Sequence, residues 1–458
     1  MPDLTAYQGP IYLSIANALA ADLADGRLTP GDQMPTHRDL AYRLGITVGT
    51  VSRAYSEAKR RGLIASEVGR GTYVQGDQSG YPHLTVEEGL GPEMFDFSLN
   101  LPAKGEAEQA LATVLGDLSR SGGLSTMLDY QPEAGMRRHR IAGAKWLSFI
   151  GIETDPEHVI VTNGAQNGIA VALSTVTRPG DIVLTESVTY TGIKDFAAHR
   201  DLRLSAVAMD EQGIRPDALE EACTTHRPKA LYCMPTLQNP TARIMSEPRR
   251  QEIVAIARTY GVTIVEDAAY DWLMKDPPPP LAVIAPDITV LLSSISKTIA
   301  PGMRLGYVYA PNEFAGPIGA TMRSDCRMAT PLMAEIVTRW IEDGSAERMN
   351  EWQRGEVAIR QSIVREELAG IDYETHPESY HLWLPLPAPW RAEEFVAQVR
   401  TRNVVLMPAE AFVVGRDQSP HVVRISIGSA KNHERLRAGL AIIAETLKTP
   451  QRPAQSVI

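Results

Sequence analysis

Lys297 stands in the run Ser293-Ser294-Ile295-Ser296-Lys297-Thr298, with Arg304 seven positions on and Asp267 thirty positions upstream. An amine among hydroxyls can hold an aldehyde as a Schiff base. A guanidinium beyond it can grip a phosphate at two points, and Ser294 and Ser296 can add hydroxyl donors. Asp267 closes the apolar run Val262-Thr263-Ile264-Val265-Glu266, where a carboxylate is costly without a partner. A protonated pyridine nitrogen is such a partner, and the pairing keeps that ring an electron sink. Together these residue types describe a pyridoxal 5′-phosphate site. Taken singly they are ordinary: a lysine in a serine-rich loop is usually surface, and Asp267 could equally cap a helix.

Further residues suit the same ring. Tyr270 can reach a hydroxyl on it, and Asn239, in Gln238-Asn239-Pro240-Thr241, can share that hydroxyl through its amide. Gly164-Ala165-Gln166 follows a strand-like run and opens a helix-like one, where free backbone N–H groups attract a phosphate. Tyr190 could stack on the ring or be a core tyrosine. Arg424 lies inside Val422-Val423-Arg424-Ile425-Ser426-Ile427, where a guanidinium needs an anion. A ligand carboxylate and an internal ion pair both remain open there. Cys223, Cys233 and Cys326 form no Cys-x-x-Cys pair, so neither a metal centre nor a disulfide framework is expected.

The elements that must position these residues alternate. Segments 158–162, 181–185, 229–233, 262–266, 289–293 and 306–310 are short β-branched runs, with helical patterns such as 166–177 and 246–260 between them. Such alternation predicts an α/β fold with a mainly parallel sheet, whose ligands gather beyond the strands' carboxyl ends. A smaller α/β subdomain is expected toward the C-terminus.

The first 75 residues read differently. Ile11, Ile15, Leu19 and Leu23 form one helical stripe, and a second helix from Thr36 sets Leu40 and Leu44 inward before Gly45. Thr47 is placed to cap a third helix that buries Val51, Tyr55 and Ala58, and two short strands flank Gly69-Arg70-Gly71. Helix, helix, tight turn, helix and hairpin predict a winged helix-turn-helix. Residues 36–75 carry seven Arg and Lys against three Asp and Glu, in a chain of net charge −10, which suits a nucleic-acid face. Residues 76–95, rich in glycine and proline, read as a linker. No basic leader or membrane-spanning run appears, so a cytoplasmic, nucleoid-associated protein is expected.

Two known families share these motifs. The N-terminal part, with Gly31-Asp32-Gln33-Met34-Pro35-Thr36-His37-Arg38-Asp39-Leu40-Ala41 and Val51-Ser52-Arg53-Ala54-Tyr55, resembles the GntR winged-helix regulators. The remainder resembles fold-type I, class I/II aminotransferases, and the fusion resembles the MocR regulators. The resemblance implies a reader over 1–75 and a transferase-like domain over 96–450. That domain would have a seven-stranded-type sheet in its large part (about 125–330) and a small subdomain at about 345–450. It implies Lys297 as the Schiff-base lysine, Asp267 on the ring nitrogen, Asn239 and Tyr270 on the 3-hydroxyl, and Tyr190 as the stacking ring. Gly164, Ala165, Gln166, Ser294, Ser296 and Arg304 would hold the phosphate, with Tyr130 lent by the other subunit of a homodimer. The resemblance also implies head-to-tail pairing of the two copies. Arg424 would bind a ligand carboxylate, while Arg38, Thr47, Thr50, Arg53 and Arg70 would touch operator DNA. The implied function is a regulator that senses an amine or amino acid by external aldimine formation at Lys297. An aminotransferase carrying an appended reader is the alternative. Two departures stand out: Ala242 replaces the glycine of the family's Asn-Pro-Thr-Gly, and Val48-Gly49 replaces a polar pair at the start of the recognition helix.

Overall fold

The structure is a computed structural model that describes residues 10–24, 27–28, 32–60, 63–67, 71–74, 93–122, 124–415 and 419–448. The chain divides into two compact units, Met1–Gly89 and Leu90–Ile458.

In the first unit, helices Ile11–Ala24, His37–Leu44 and Val48–Arg60 precede an antiparallel pair of strands, Ile64–Glu67 and Gly71–Val74. Thr36 caps the second helix by accepting from Asp39 N at 3.2 Å. Gly45 ends it at φ 66°, a left-handed conformation that glycine adopts without a Cβ penalty, and sends its N–H to Ala41 O and Tyr42 O. The third helix opens on Thr47, whose Oγ1 accepts from Thr50 N at 3.2 Å. Ile15, Leu19, Leu40, Val51, Tyr55, Ala58, Ile64 and Val74 make one core. Ile11, expected on the buried stripe, is 50 % exposed; it begins the helix, where no preceding turn covers it. Leu23's side chain and Arg70 lie outside the described residues. A third strand, Gln33–Met34, pairs antiparallel with Gly71–Val74. Two residues carry no periodicity, so the sequence did not reveal it.

The second unit is built on a seven-stranded sheet. Its order is Val159–Thr162, Gly306–Tyr309, Thr289–Ser294, Thr263–Asp267, Ala230–Cys233, Ile182–Glu186 and Arg203–Val207. Gly306–Tyr309 runs antiparallel to both neighbours, and the other pairings are parallel. The inner strands are buried on both faces, which is why they read as unbroken apolar runs. Arg203–Val207 lies at the edge, half-covered, and its mixed composition hid it from the sequence reading.

A four-stranded antiparallel sheet follows, ordered Glu374–Thr375, His381–Pro385, Val422–Ser426 and Met407–Pro408. Helices Ala392–Arg400 and His433–Lys448, with the end of the long helix Ser345–Glu367, bury Val364, Leu382, Phe395, Ile425 and Leu440 against it. Phe95–Asp96 pairs in parallel with Val404–Val405, so the chain is already strand at position 95, the expected end of the linker. Phe97 then enters this second core and sets the segment from Ser98 beside the site.

Candidate functional site

The candidate residues converge beyond the carboxyl ends of the large sheet's parallel strands. Asp267 ends one strand and Ser294 ends its neighbour. The Ser294 hydroxyl accepts from Ser296 N at 3.1 Å and starts the short turn Ile295–Lys297. That turn carries the lysine amine inward, where it donates to Asn100 O at 2.5 Å and lies 6.0 Å from the centre of the Tyr270 ring. Burial and the nearby Arg424 charge pull the amine down from its ordinary 10.5 to about 8; Arg304 acts the same way and Asp267 opposes them. A larger share of unprotonated amine near neutral pH is what attack on an aldehyde requires.

Asp267 is buried. It accepts from Tyr232 Oη at 2.7 Å on Oδ2 and from Ala269 N at 3.0 Å on Oδ1. Burial raises its carboxyl above the ordinary range, while these two donors and Lys297 oppose the rise. Neither donor carries a charge. The bond from Ala269 N is of the capping kind that the sequence also allowed, and the buried carboxylate remains open to a cationic ring nitrogen.

Arg424 is buried as well. One guanidinium nitrogen donates to Asn239 Oδ1 at 2.8 Å and another to Ser98 O, the group sits 4.8 Å over the Phe412 ring, and its Nε has no partner. Burial lowers it to about 10. No carboxylate pairs with it among the described residues, so the internal ion pair left open above is not formed. Asn239 turns its oxygen to Arg424, which leaves its amide nitrogen as a donor.

The residues expected to hold a phosphate also come together. Gly164, at φ 83°, precedes the helix Ala165–Val176, and Arg304 donates to Asn163 O at 3.4 Å. A Cβ on Gly164 would come within 2.9 Å of the Arg304 guanidinium, so the glycine is what allows the arginine to lie across this helix end. The Ser296 hydroxyl is buried without a partner, as a phosphate donor would be. Gln166 spends its amide nitrogen on Gly192 O at 2.9 Å, so the expected phosphate contact would fall to its backbone N–H. Tyr190 stands before helix Thr191–His199, with Asp267, Arg304 and Arg424 all acting on its hydroxyl. These orphaned donors, the cradle and the buried carboxylate fit pyridoxal 5′-phosphate.

Tyr130 is not part of this cluster. It is 80 % exposed, with Arg327 5.1 Å over its ring. Arg38, Thr47 and Arg53 are exposed on the first unit, and Thr50 is half-buried, its hydroxyl 2.9 Å from that of Thr47. Asn100, Tyr232 and His381 also belong to the site and were not expected from the sequence. A histidine inside the apolar run Tyr380-His381-Leu382-Trp383 was the available signal.

Residues 92–443 match the family "Aminotransferase class I and II". The chain belongs to the class I and II aminotransferase family. Residues 11–74 match "Bacterial regulatory proteins, gntR family". The HTH-type transcriptional regulator YdeF of Bacillus subtilis is 30 % identical over 97 % of this chain and 96 % of its own length. The pyridoxine biosynthesis transcriptional regulator PdxR of Corynebacterium glutamicum is 28 % identical over 76 % of this chain and 77 % of its own. Among solved structures, the aminotransferase-fold body superposes on LysN of Thermus thermophilus, an alpha-aminoadipate aminotransferase complexed with N-(5'-phosphopyridoxyl)-L-leucine. The TM-score is 0.69 at 25 % identity, covering 78 % of this chain and 93 % of LysN. This class I/II member with a gntR-type N-terminus therefore has the MocR-like architecture of a transcription regulator.

Proposed function

We propose that this chain regulates transcription by sensing an amine that carries a carboxylate, through pyridoxal 5′-phosphate held at Lys297. When bound, the cofactor supplies an aldehyde that condenses with amines and a ring that withdraws electrons. Lys297 anchors it and gives way to the ligand's amine. Asp267 pairs with the ring nitrogen, Tyr270 and Asn239 face the ring hydroxyl, and Tyr190 covers one face. Gly164, Ala165, Gln166, Ser294, Ser296 and Arg304 hold the phosphate, with Tyr130 of a second copy. Arg38, Thr47, Thr50, Arg53 and Arg70 contact the operator. A ligand changes DNA binding to the extent that it prefers one arrangement of the chain over another.

The observation that carries this reading is Arg424: a buried guanidinium that acts on the lysine and has no paired carboxylate among the described residues. Titration of the cofactor-loaded protein with amino acids and with the matching decarboxylated amines tests it, read by the visible band and by operator binding. The amino acids should act at far lower concentration. Equal response to both series removes Arg424 from ligand recognition. The lowered Lys297 amine and the complete chemical set favour a second reading, an aminotransferase with an appended reader. Rapid multiple turnover with a 2-oxoacid, without specific DNA affinity, would decide for it.

A further inference from the structure

A hydrogen-bond chain leads to Tyr270 through His381, Asn100 and Ser426, to which no role has been assigned. His381 Nε2 lies 3.0 Å from Gln238 O, and its Nδ1 lies 2.8 Å from Asn100 Nδ2. The same amide nitrogen lies 2.8 Å from Tyr270 Oη, and Asn100 Oδ1 lies 3.1 Å from Ser426 Oγ. His381, Asn100, Tyr270 and Ser426 are all buried.

Donor and acceptor rules fix every hydrogen. A carbonyl can only accept, so the His381 proton sits on Nε2 and Nδ1 is left with a lone pair. Burial and the charges of Arg424 and Lys297 hold the ring neutral, down to about 3. The lone pair demands a donor, and Asn100 must therefore turn its NH₂ toward His381. Its second amide hydrogen then falls on the Tyr270 oxygen. Its own oxygen takes the Ser426 hydroxyl. Tyr270 is thereby made an acceptor from behind, and its hydrogen meets no acceptor among the described residues.

We propose that His381 is a positioning residue: acting through Asn100, it fixes Tyr270 as a hydrogen-bond donor into the site. Arg424 sets the polarity of Asn239 in the same sense by taking its oxygen. Tyr270 and Asn239 are then both left with donor hydrogens, as the anionic ring oxygen of the cofactor would need. The inference rests on the cofactor reading above and adds the origin of the donor polarity.

The test compares His381→Leu, His381→Gln and Tyr270→Phe, singly and with Tyr270→Phe as background. The protein is the full chain loaded with pyridoxal phosphate, and the measure is the pH midpoint of its visible band. Leucine removes the acceptor and lets the amide turn. Glutamine offers one donor and one acceptor and can restore the order. Arg424, Asp267, Tyr190, Tyr380 and Lys297, charged and titratable groups facing Tyr270, are unchanged in the His381 variants. Loss of a donor leaves more negative charge on the ring oxygen, so the midpoint should rise by about one pH unit in His381→Leu, a tenfold effect. It should return toward wild type in His381→Gln. In the Tyr270→Phe background, His381→Leu should add almost nothing. An unmoved midpoint, an equal shift in both backgrounds, or a glutamine variant no better than leucine overturns the inference alone. Absence of any borohydride-trapped adduct at Lys297 in the wild type overturns the cofactor reading and the inference with it.

Discussion

At the scale of single residues, the site is set by charges that lack ordinary partners. Lys297 is held near 8 by burial and by Arg424, with Asp267 pulling the other way. Trapping of pyridoxal phosphate on Lys297 by borohydride should therefore reach half its limiting rate near pH 8, because the reacting form is the free amine. Arg424→Gln removes a lowering charge and should move that midpoint up, whereas Asp267→Asn removes a raising one and should move it down. A midpoint near the ordinary lysine value in the wild type would contradict the geometry. Arg424→Gln should also weaken a carboxylate-bearing amine by about 2–5 kcal/mol, as loss of one member of a buried charge pair does. A decarboxylated amine should be nearly unaffected, and the ratio of the two affinities, from titrations of the visible band, checks this.

At the scale of elements, the turn between Cys233 and the following helix holds the departure noticed in the sequence. Ala242 sits at φ 61° and is 3 % exposed, and its N–H donates to Gln238 O at 2.6 Å. A non-glycine residue in this region costs about 1–2 kcal/mol, while glycine costs about 0.4–1 kcal/mol through the freedom of the unfolded chain. Ala242→Gly should therefore stabilise the second unit by roughly 0.5–1 kcal/mol, seen as a higher urea midpoint; a lower one would mean that the methyl group packs better than the backbone relaxes. In the first unit, Thr47→Ala removes the cap on Thr50 N and should cost about 1 kcal/mol. The glycines, caps and doubly buried strands were legible because each depends on neighbours in sequence or on one continuous apolar run. Asn100 and His381 were not: Asn100 meets its partners 170 and 281 positions away. The edge strand Arg203–Val207 was missed for a different reason, since half-exposure erased its apolar signature.

At the scale of the whole molecule, the chain joins a locally basic reader to an otherwise acidic protein of net charge −10. Phosphate contacts supply most of the affinity of such readers and release counterions in proportion to their number. Arg53 is exposed on helix Val48–Arg60, which also presents Thr47 and the 45 %-exposed Val48 at its start. Arg53 lies in the unit Met1–Gly89, whereas Lys297, Asp267 and Arg424 lie in Leu90–Ile458, each unit with its own core. Damage to one site should accordingly leave the other's local chemistry intact. Arg53→Ala should weaken operator binding and, if Arg53 meets a phosphate, reduce the slope of log affinity against log salt by about one. If it meets a base edge instead, affinity should fall by about 1–3 kcal/mol for the operator but little for random DNA. In both cases the visible cofactor band and its pH midpoint should match wild type. Lys297→Ala is the reciprocal experiment: loss of the band and of the ligand response, with operator affinity in the absence of ligand retained. A Lys297→Ala chain that still answered the ligand normally would place sensing outside the lysine site, even with every contact around Arg424 unchanged.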